Sequence, residues 1–261
     1  GDGTPGSCTE TALRAALERR GVIRFECGAA PVTILVTSEL RLEGYTGDVV
    51  LDGRGLVTLD GGGATRILGL HSSFEREEPR LTVQGLGFTR GRTTDVPDTT
   101  STEQGGAAIY RLGGSLTVLD CTFTDNTGPE TGQDVAGGAV YSIGVGTTTI
   151  VGSTFRGNRC SDGGALGNLH APLVLVNSVV EDNVATGHDG NPGHGGNGGG
   201  IYMDGAGNEL TICGCRVSRN RGNAFGGGVF RVSNTGEPAT DIDRSTFEDN
   251  EIVPDDFRLA G

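Results

Sequence analysis

"GGAVYSIGVGTTTIVGSTFRGN", residues 137–158, joins two patterns. A glycine pair leads into a small, an apolar and an aromatic residue. A run of period two then closes on Phe-x-x-Asn. The first half of this unit returns as "GAAIY" at 106–110, "GGALG" at 163–167, "GGGIY" at 198–202 and "GGGVF" at 226–230. The second half returns as "LTVLDCTFTDN" ending at Asn126, "LVLVNSVVEDN" at Asn183, "LTICGCRVSRN" at Asn220 and "TDIDRSTFEDN" at Asn250. An earlier copy, "LTVQGLGFTRG", ends at Gly91. Self-similar units of this size predict a solenoid, in which each copy packs only on its neighbours.

The terminal asparagines lie 32, 25, 37 and 30 residues apart, yet the strand pieces keep their length, so insertions fall at corners. One column of the strand pieces is small: Cys121, Ser153, Ser178, Cys215 and Ser245. Two places on, Phe123, Phe155, Val180, Val217 and Phe247 form an apolar column. Like residues in register stack between coils about 4.8 Å apart. The asparagine column reads as structural, each amide bonding its equivalent one coil away.

Composition narrows the class. Gly is 48 of 261 residues without a three-residue period, which excludes collagen. The net charge is −13, with 20 Arg and no Lys. Such a chain is a poor nucleic-acid binder and repels a bare polyanion unless a local arginine patch or a bridging cation intervenes. No apolar run approaches the length of a membrane span. The six cysteines, Cys8, Cys27, Cys121, Cys160, Cys213 and Cys215, form no CxxC pair, which argues against structural zinc and fits an oxidising, extracellular setting for a secreted protein.

The repeat resembles the coils of right-handed parallel β-helices of the pectin-lyase-like superfamily, particularly bacterial proteins with repeated GGAIY…FxxN units, over about residues 22–252. The resemblance implies an all-β fold, a right-handed parallel β-helix (solenoid) with an N-terminal capping α-helix. Residues 1–261 then read as one domain, with a cap at 1–21, coils over 22–252 and a tail at 253–261. The superfamily includes polysaccharide lyases, glycoside hydrolases, uronate epimerases and surface adhesins. In "SCTETALRAALERRG", Ser7 and Glu10 read as a capping box, Ala12, Leu13, Ala16 and Leu17 as an apolar stripe, and Gly21 as the residue beyond the helix end. Cys8 and Cys27 flank this helix and are expected to staple it. The pairing of the other four cysteines stays open. "EIVPDDFRLAG" at the C-terminus offers no amphipathic cap, so another domain or chain is expected to cover that edge.

The residues between each terminal Asn, or Gly91, and the next glycine pair number 13 (92–104), 10 (127–136), 4 (159–162), 14 (184–197) and 5 (221–225). All leave from one corner. The short corner "RCSD" therefore lies between two walls, "TGPETGQDVA" and "VATGHDGNPGHGGN", which predicts a groove floored near Arg159 and Asp162.

The leading expectation for that groove is β-elimination of an acidic polysaccharide. Without lysine, imidazole is the available base. The reading assigns His188 or His194 as base, Tyr202 or Tyr141 as acid and Arg159 as carboxylate neutraliser, with His170 close by on the strand after the short corner. Arg111, Asp162, Asp189 and Arg231 complete the expected substrate contacts, Arg111 as a bidentate carboxylate partner. The tyrosine column also reads as a packing ladder or a sugar-stacking platform. His188, Asp189 and His194 could ligate zinc, although H-D-x4-H matches no established motif. Calcium fits better through Asp134, Asp162 or Asp189 with carbonyl oxygens. Hydrolysis would need paired carboxylates, for which Asp125, Asp182 and Asp249 are candidates. The alternative to catalysis is an adhesin or carbohydrate-binding β-helix. An ice-binding face would need outward threonine ranks, and "TTT" at 147–149 stands isolated.

Overall fold

The computed structural model describes residues 1–43, 47–93, 102–236 and 239–253. Every paired strand is parallel, in three sheets of 14, seven and four strands that wind round one core. One coil shows the path. Val140–Ile143 lies in the seven-stranded sheet; Thr148–Val151 and then Thr154–Arg156 lie in the 14-stranded sheet; Arg159–Cys160 lies in the four-stranded sheet. The chain then turns through the glycine pair into the next coil. The fold is a right-handed parallel β-helix with one α-helix at its N-terminal end.

Two bends per coil explain two polar columns. Asp120, Gly152, Asn177, Gly214 and Arg244 all have φ between 45° and 65°, and so do Asp125, Asp182, Arg219 and Asp249, while Gly157 reaches 68°. This left-handed backbone favours Gly, Asn and Asp. The "EDN" carboxylates therefore sit at bends, and Asp182 is held by Arg219 at 2.8 Å and Arg156 at 3.1 Å. The Arg219 hydrogen bonds, above all, keep its carboxyl below the usual range.

Beyond those bends the interior is ordered in ladders. The Phe88, Phe123 and Phe155 rings stack at 4.9 and 4.6 Å between centroids. In the asparagine ladder Asn158 Oδ1 accepts from Asn126 N (3.1 Å) and Nδ2 (2.9 Å), and the pattern continues through Asn183 and Asn220 to Asn250. The small column forms a third ladder, with Ser153 Oγ accepting from Cys121 N and Ser178 Oγ from Ser153 N, each at 3.1 Å. On the outer face Thr149 is not isolated. Register aligns it with Thr82, Thr117 and Thr211, a rank broken by Val174.

The helix spans Glu10–Arg19, and its N-cap is Thr9 rather than Ser7. The Thr9 hydroxyl accepts from Ala12 N at 3.2 Å, while Ser7 belongs to a 3₁₀ turn and donates to Thr4 O. Glu10 is the first helical residue, and its carboxylate binds Arg14 and Thr37 instead of closing a capping box. Leu13 and Leu17 are buried. Cys8 and Cys27 form a disulfide across this cap, and Cys121, Cys160, Cys213 and Cys215 are free thiols, three of them buried. No described helix is long and apolar enough to cross a membrane. The tail from residue 254 lies outside the described residues.

Asn158→Ala should lower the unfolding free energy by about 2–4 kcal/mol, because it strands two buried donors of Asn126. Thr149→Val on the outer face should change it by less than about 0.5 kcal/mol. Urea unfolding followed by circular dichroism measures both.

Candidate functional site

The excursions leave one corner, as the repeat requires, but the two walls do not stand apart. Thr186 Oγ1 donates to Glu130 O (2.9 Å), and Gly132 N donates to His194 O (3.1 Å), so the walls join above the short corner. The Ser161 hydroxyl, between them, bonds Gly132 O at 2.7 Å and His194 O at 3.0 Å. Cys160, Ser161 and Asp162 are fully buried. The expected groove floor is thus the underside of a closed loop layer. Walls flanking one short corner are only two strand spacings, about 10 Å, apart, and a single layer of backbone fills that gap.

This layer covers the outer face of the seven-stranded sheet. Tyr110, Tyr141 and Tyr202 point outward from it and are buried beneath the loops. Gly167 replaces a tyrosine in this column because Ala136 occupies the space: a Cβ there would meet the Ala136 Cβ at 2.5 Å. The Tyr141 hydroxyl donates to Asp134 O (2.6 Å). The Tyr202 hydroxyl lies 2.5 Å from Asp134 Oδ1 and 3.1 Å from Asp204 Oδ2, and accepts from Asn191 Nδ2 (2.5 Å). Burial, reinforced by the nearby Asp162 and Asp134 charges, raises the Tyr202 phenol far above its ordinary range. Asp162 accepts from Asn197 N and Nδ2 through Oδ1, while its Oδ2 is buried without a hydrogen-bond partner. Burial raises its carboxyl well above the usual value, against the Asn197 hydrogen bonds that lower it.

His188, Asp189 and His194 do converge, on a surface hairpin. Gly190 and Gly195 bond each other in both directions at 2.8 and 3.2 Å, and His194 N donates to His188 O (3.0 Å). The imidazole centroids lie 4.7 Å apart. Asp189 Oδ2 is 2.8 Å from His188 Nδ1 and 3.5 Å from His194 Nδ1. The exposed ring of Phe225 packs beside Gly190.

The remaining predicted residues are dispersed. His170 lies at the opposite end of its strand, where Nδ1 accepts from Ala206 N (2.9 Å) and the ring meets Phe74 edge-on. Arg111 and Arg231 occupy the inward column of the seven-stranded sheet. Arg111 is completely buried and donates to Gly114 O (2.6 Å) and Gly146 O (2.7 Å); burial pushes its guanidinium down to about 9, still charged at neutral pH. Arg231 Nε donates to Asn208 O (3.0 Å). Arg159 is exposed on the four-stranded sheet. The calcium candidates are split: Asp162 is bonded inside, Asp134 serves Tyr202 and Asn191, and Asp189 faces two imidazoles.

Two features escaped the sequence reading. Register places Arg92, Thr127, Arg159, Val184, Arg221 and Glu251 in one line along the solenoid axis, so arginines recur on alternate coils. Neither Arg159 nor Arg221 forms an ion pair among the described residues. At the N-terminal end of the line, Arg92 borders a recess of about 360 Å³, also lined by Glu39, Ala64, Thr65, Arg66, Thr93, Glu103 and Gln104, so two carboxylates stand beside it. Inside it, Thr93 Oγ1 and Gln104 Oε1 are buried without hydrogen-bond partners. Arg66 is fixed over the Tyr110 ring, 4.7 Å from its centroid, and pairs with Glu39 at 3.4 Å. Burial alone would raise the Glu39 carboxyl, but the His71 hydrogen bond and the Arg66 and Arg41 charges outweigh it and hold the group below its ordinary value. The signal was available one place beyond each terminal Asn.

Asp162 carries a sign-definite prediction. A carboxyl raised on folding stabilises fully below its unfolded value near 3.8, and that contribution is lost as pH rises toward the folded value. Asp162→Asn keeps the Asn197 bonds and removes the ionisation. The variant should therefore be the more stable protein at pH 7–8, with its advantage vanishing near pH 4. Melting temperature against pH tests this.

No family model, curated protein or solved structure matches the chain.

Proposed function

We propose that this protein is an extracellular β-helix of the pectin-lyase-like type that binds an acidic polysaccharide along its axis, without cleaving it. The observation that carries this is the arginine line Arg92, Arg159 and Arg221 on alternate coils. Two strand spacings put successive guanidinium groups about 10 Å apart at the backbone. A two-fold polyuronate presents like-facing carboxylates on alternate sugars, which suits cations on alternate coils. Guanidinium meets carboxylate bidentately and on a rigid sheet loses little freedom in doing so. The recess beside Arg92 adds acceptors for sugar hydroxyls at Glu39, Thr93 and Gln104.

β-Elimination is the less favoured reading because the two tyrosines expected as its acid are not exposed. Tyr202 and Tyr141 are buried and hydrogen-bonded to Asp134, so neither hydroxyl is free to protonate a leaving group.

The test is affinity electrophoresis of the protein through gels containing polygalacturonate, alginate or a neutral glucan. Retardation is expected with a polyuronate, weakening as salt rises. Arg159→Ala with Arg221→Ala should weaken binding about tenfold or more, equivalent to about 1.4 kcal/mol. Retardation indifferent to both substitutions, or none on any polyuronate, would refute the line as the binding surface. Unsaturated product that disappears in His194→Ala would instead restore catalysis.

A further inference from the structure

We propose that His188, Asp189 and His194 form a binding site for a divalent transition-metal ion of the zinc class, open to solvent. This does not rest on the polysaccharide reading, because the residues lie off the arginine line and the ion is recognised by the hairpin alone.

The donor spacing is the first argument. Zinc takes imidazole nitrogen and carboxylate oxygen at about 2.0–2.1 Å, so tetrahedral ligand atoms stand about 3.3–3.4 Å apart. Asp189 Oδ2 lies 2.8 Å from His188 Nδ1 and 3.5 Å from His194 Nδ1, bracketing that value. One ligand atom from each residue lies within 4.8 Å of the other two, and these three residues are the one such group among the described residues.

The backbone is already fixed, which is the second argument. Gly187 N and Gly196 N both donate to Ser161 O, at 3.0 and 2.9 Å, clamping the two legs of the excursion to the coil below. The Gly190–Gly195 bridge sets the two histidine positions side by side. Asn191 ties the tip to Asp134 and Tyr202, at 3.1 and 2.5 Å. Ligands held on such a frame lose little freedom when an ion binds.

Chemistry selects the ion. Two imidazoles and one carboxylate form a borderline donor set suited to zinc, cobalt, nickel or copper. Calcium takes six to eight oxygens, and only one of these three residues offers oxygen. Three protein ligands leave a coordination position for water or an exogenous group. The side chains are 45, 70 and 42% exposed in sequence order, so an ion can reach the cluster from solvent, although His194 Nδ1 itself is buried. The overall charge of −13 adds a field that attracts a cation.

The experiment uses tag-free, chelator-stripped protein without saccharide. Co²⁺ is titrated and followed by its visible ligand-field bands; Zn²⁺ is titrated by calorimetry. One equivalent should bind, with a four- or five-coordinate spectrum. His188→Ala and His194→Ala should each weaken binding at least about 100-fold, since even the outer partners of metal ligands are worth 10–100-fold. Asp189→Asn, which keeps the hairpin's shape, should also weaken it. Arg159→Ala and His170→Gln should bind as the parent does. Circular dichroism confirms folding of each variant. No saturable binding, binding that survives the double histidine substitution, or a thiolate charge-transfer band placing Co²⁺ on a cysteine would each overturn the site. Loss of polyuronate binding in the arginine variants with Co²⁺ binding intact separates this site from the saccharide surface.

Discussion

A buried amide that bonds its own copy one coil away sets the geometry of this molecule. Asn158 shows the full set. Its Oδ1 accepts the backbone and side-chain N–H groups of Asn126; its Nδ2 donates to Asn183 Oδ1 at 3.0 Å and to Phe123 O at 3.1 Å. No other side chain of that size supplies two donors and a doubly accepting oxygen at one corner. Asn126, Asn158, Asn183 and Asn220 are fully buried, so an amide without its neighbour would be costly and a complete row is strong. The ladder therefore fixes where each coil from Asn126 to Asn250 turns, although the intervals between its members run from 25 to 37 residues. The stacked phenylalanines and the serine–cysteine row keep the same register because the asparagines hold it.

Once each coil must turn at its asparagine, spare residues can leave only beyond it. That requirement put the long excursions on one flank, as the repeat implied. It also brought them close together. Two walls a pair of strand spacings apart have unsatisfied backbone groups facing each other, and hydrogen bonding across the gap satisfies them. The closed layer then buries Tyr202 and Asp162. What the sequence offers as a catalytic row of tyrosines becomes the underlayer of a roof. The His188–His194 hairpin sits on that roof, rigid and exposed.

Much of the architecture was legible because period-two strands, glycine pairs and terminal asparagines are local signals. The coil pieces follow from them, while the cap helix follows from its apolar stripe and the disulfide from the cysteines that flank it. Ser7 was a false N-cap because Pro5 starts a separate turn, which moves the helix start to Thr9. The site was less legible. Linear spacing told that His188, Asp189 and His194 share an excursion, yet said nothing of the hairpin that makes their nitrogens face one carboxylate. Arg111 reads as a surface cation, but alternation along Ile109–Leu112 sends its side chain inward. The arginine line needed only one more column of the same alignment. That column stands beyond the asparagine that ends each coil, where the excursions begin and the repeat loses its period.

Net charge is a poor guide to what such a surface attracts. Thirty-three acids against 20 arginines suggest a protein that shuns polyanions. Several of those acids, however, are already engaged. Glu181 and Asp182 share Arg156, Arg216 and Arg219 on the 14-stranded sheet; Asp60 holds Arg90; Asp162 lies under the loop layer. A paired or buried carboxylate contributes little to the field outside, because its charge is compensated or its proton retained. The line on the four-stranded sheet is different. Its register gives Arg159 the neutral neighbours Thr127 and Val184, and Arg221 has Val184 on one side and Glu251 on the other. Within a Debye length of about 8–10 Å, a ligand lying along that row meets the local arginines before it meets the molecule's sum. An acidic solenoid can thus carry a cationic edge, provided its repeat keeps the two kinds of charge on different sheets.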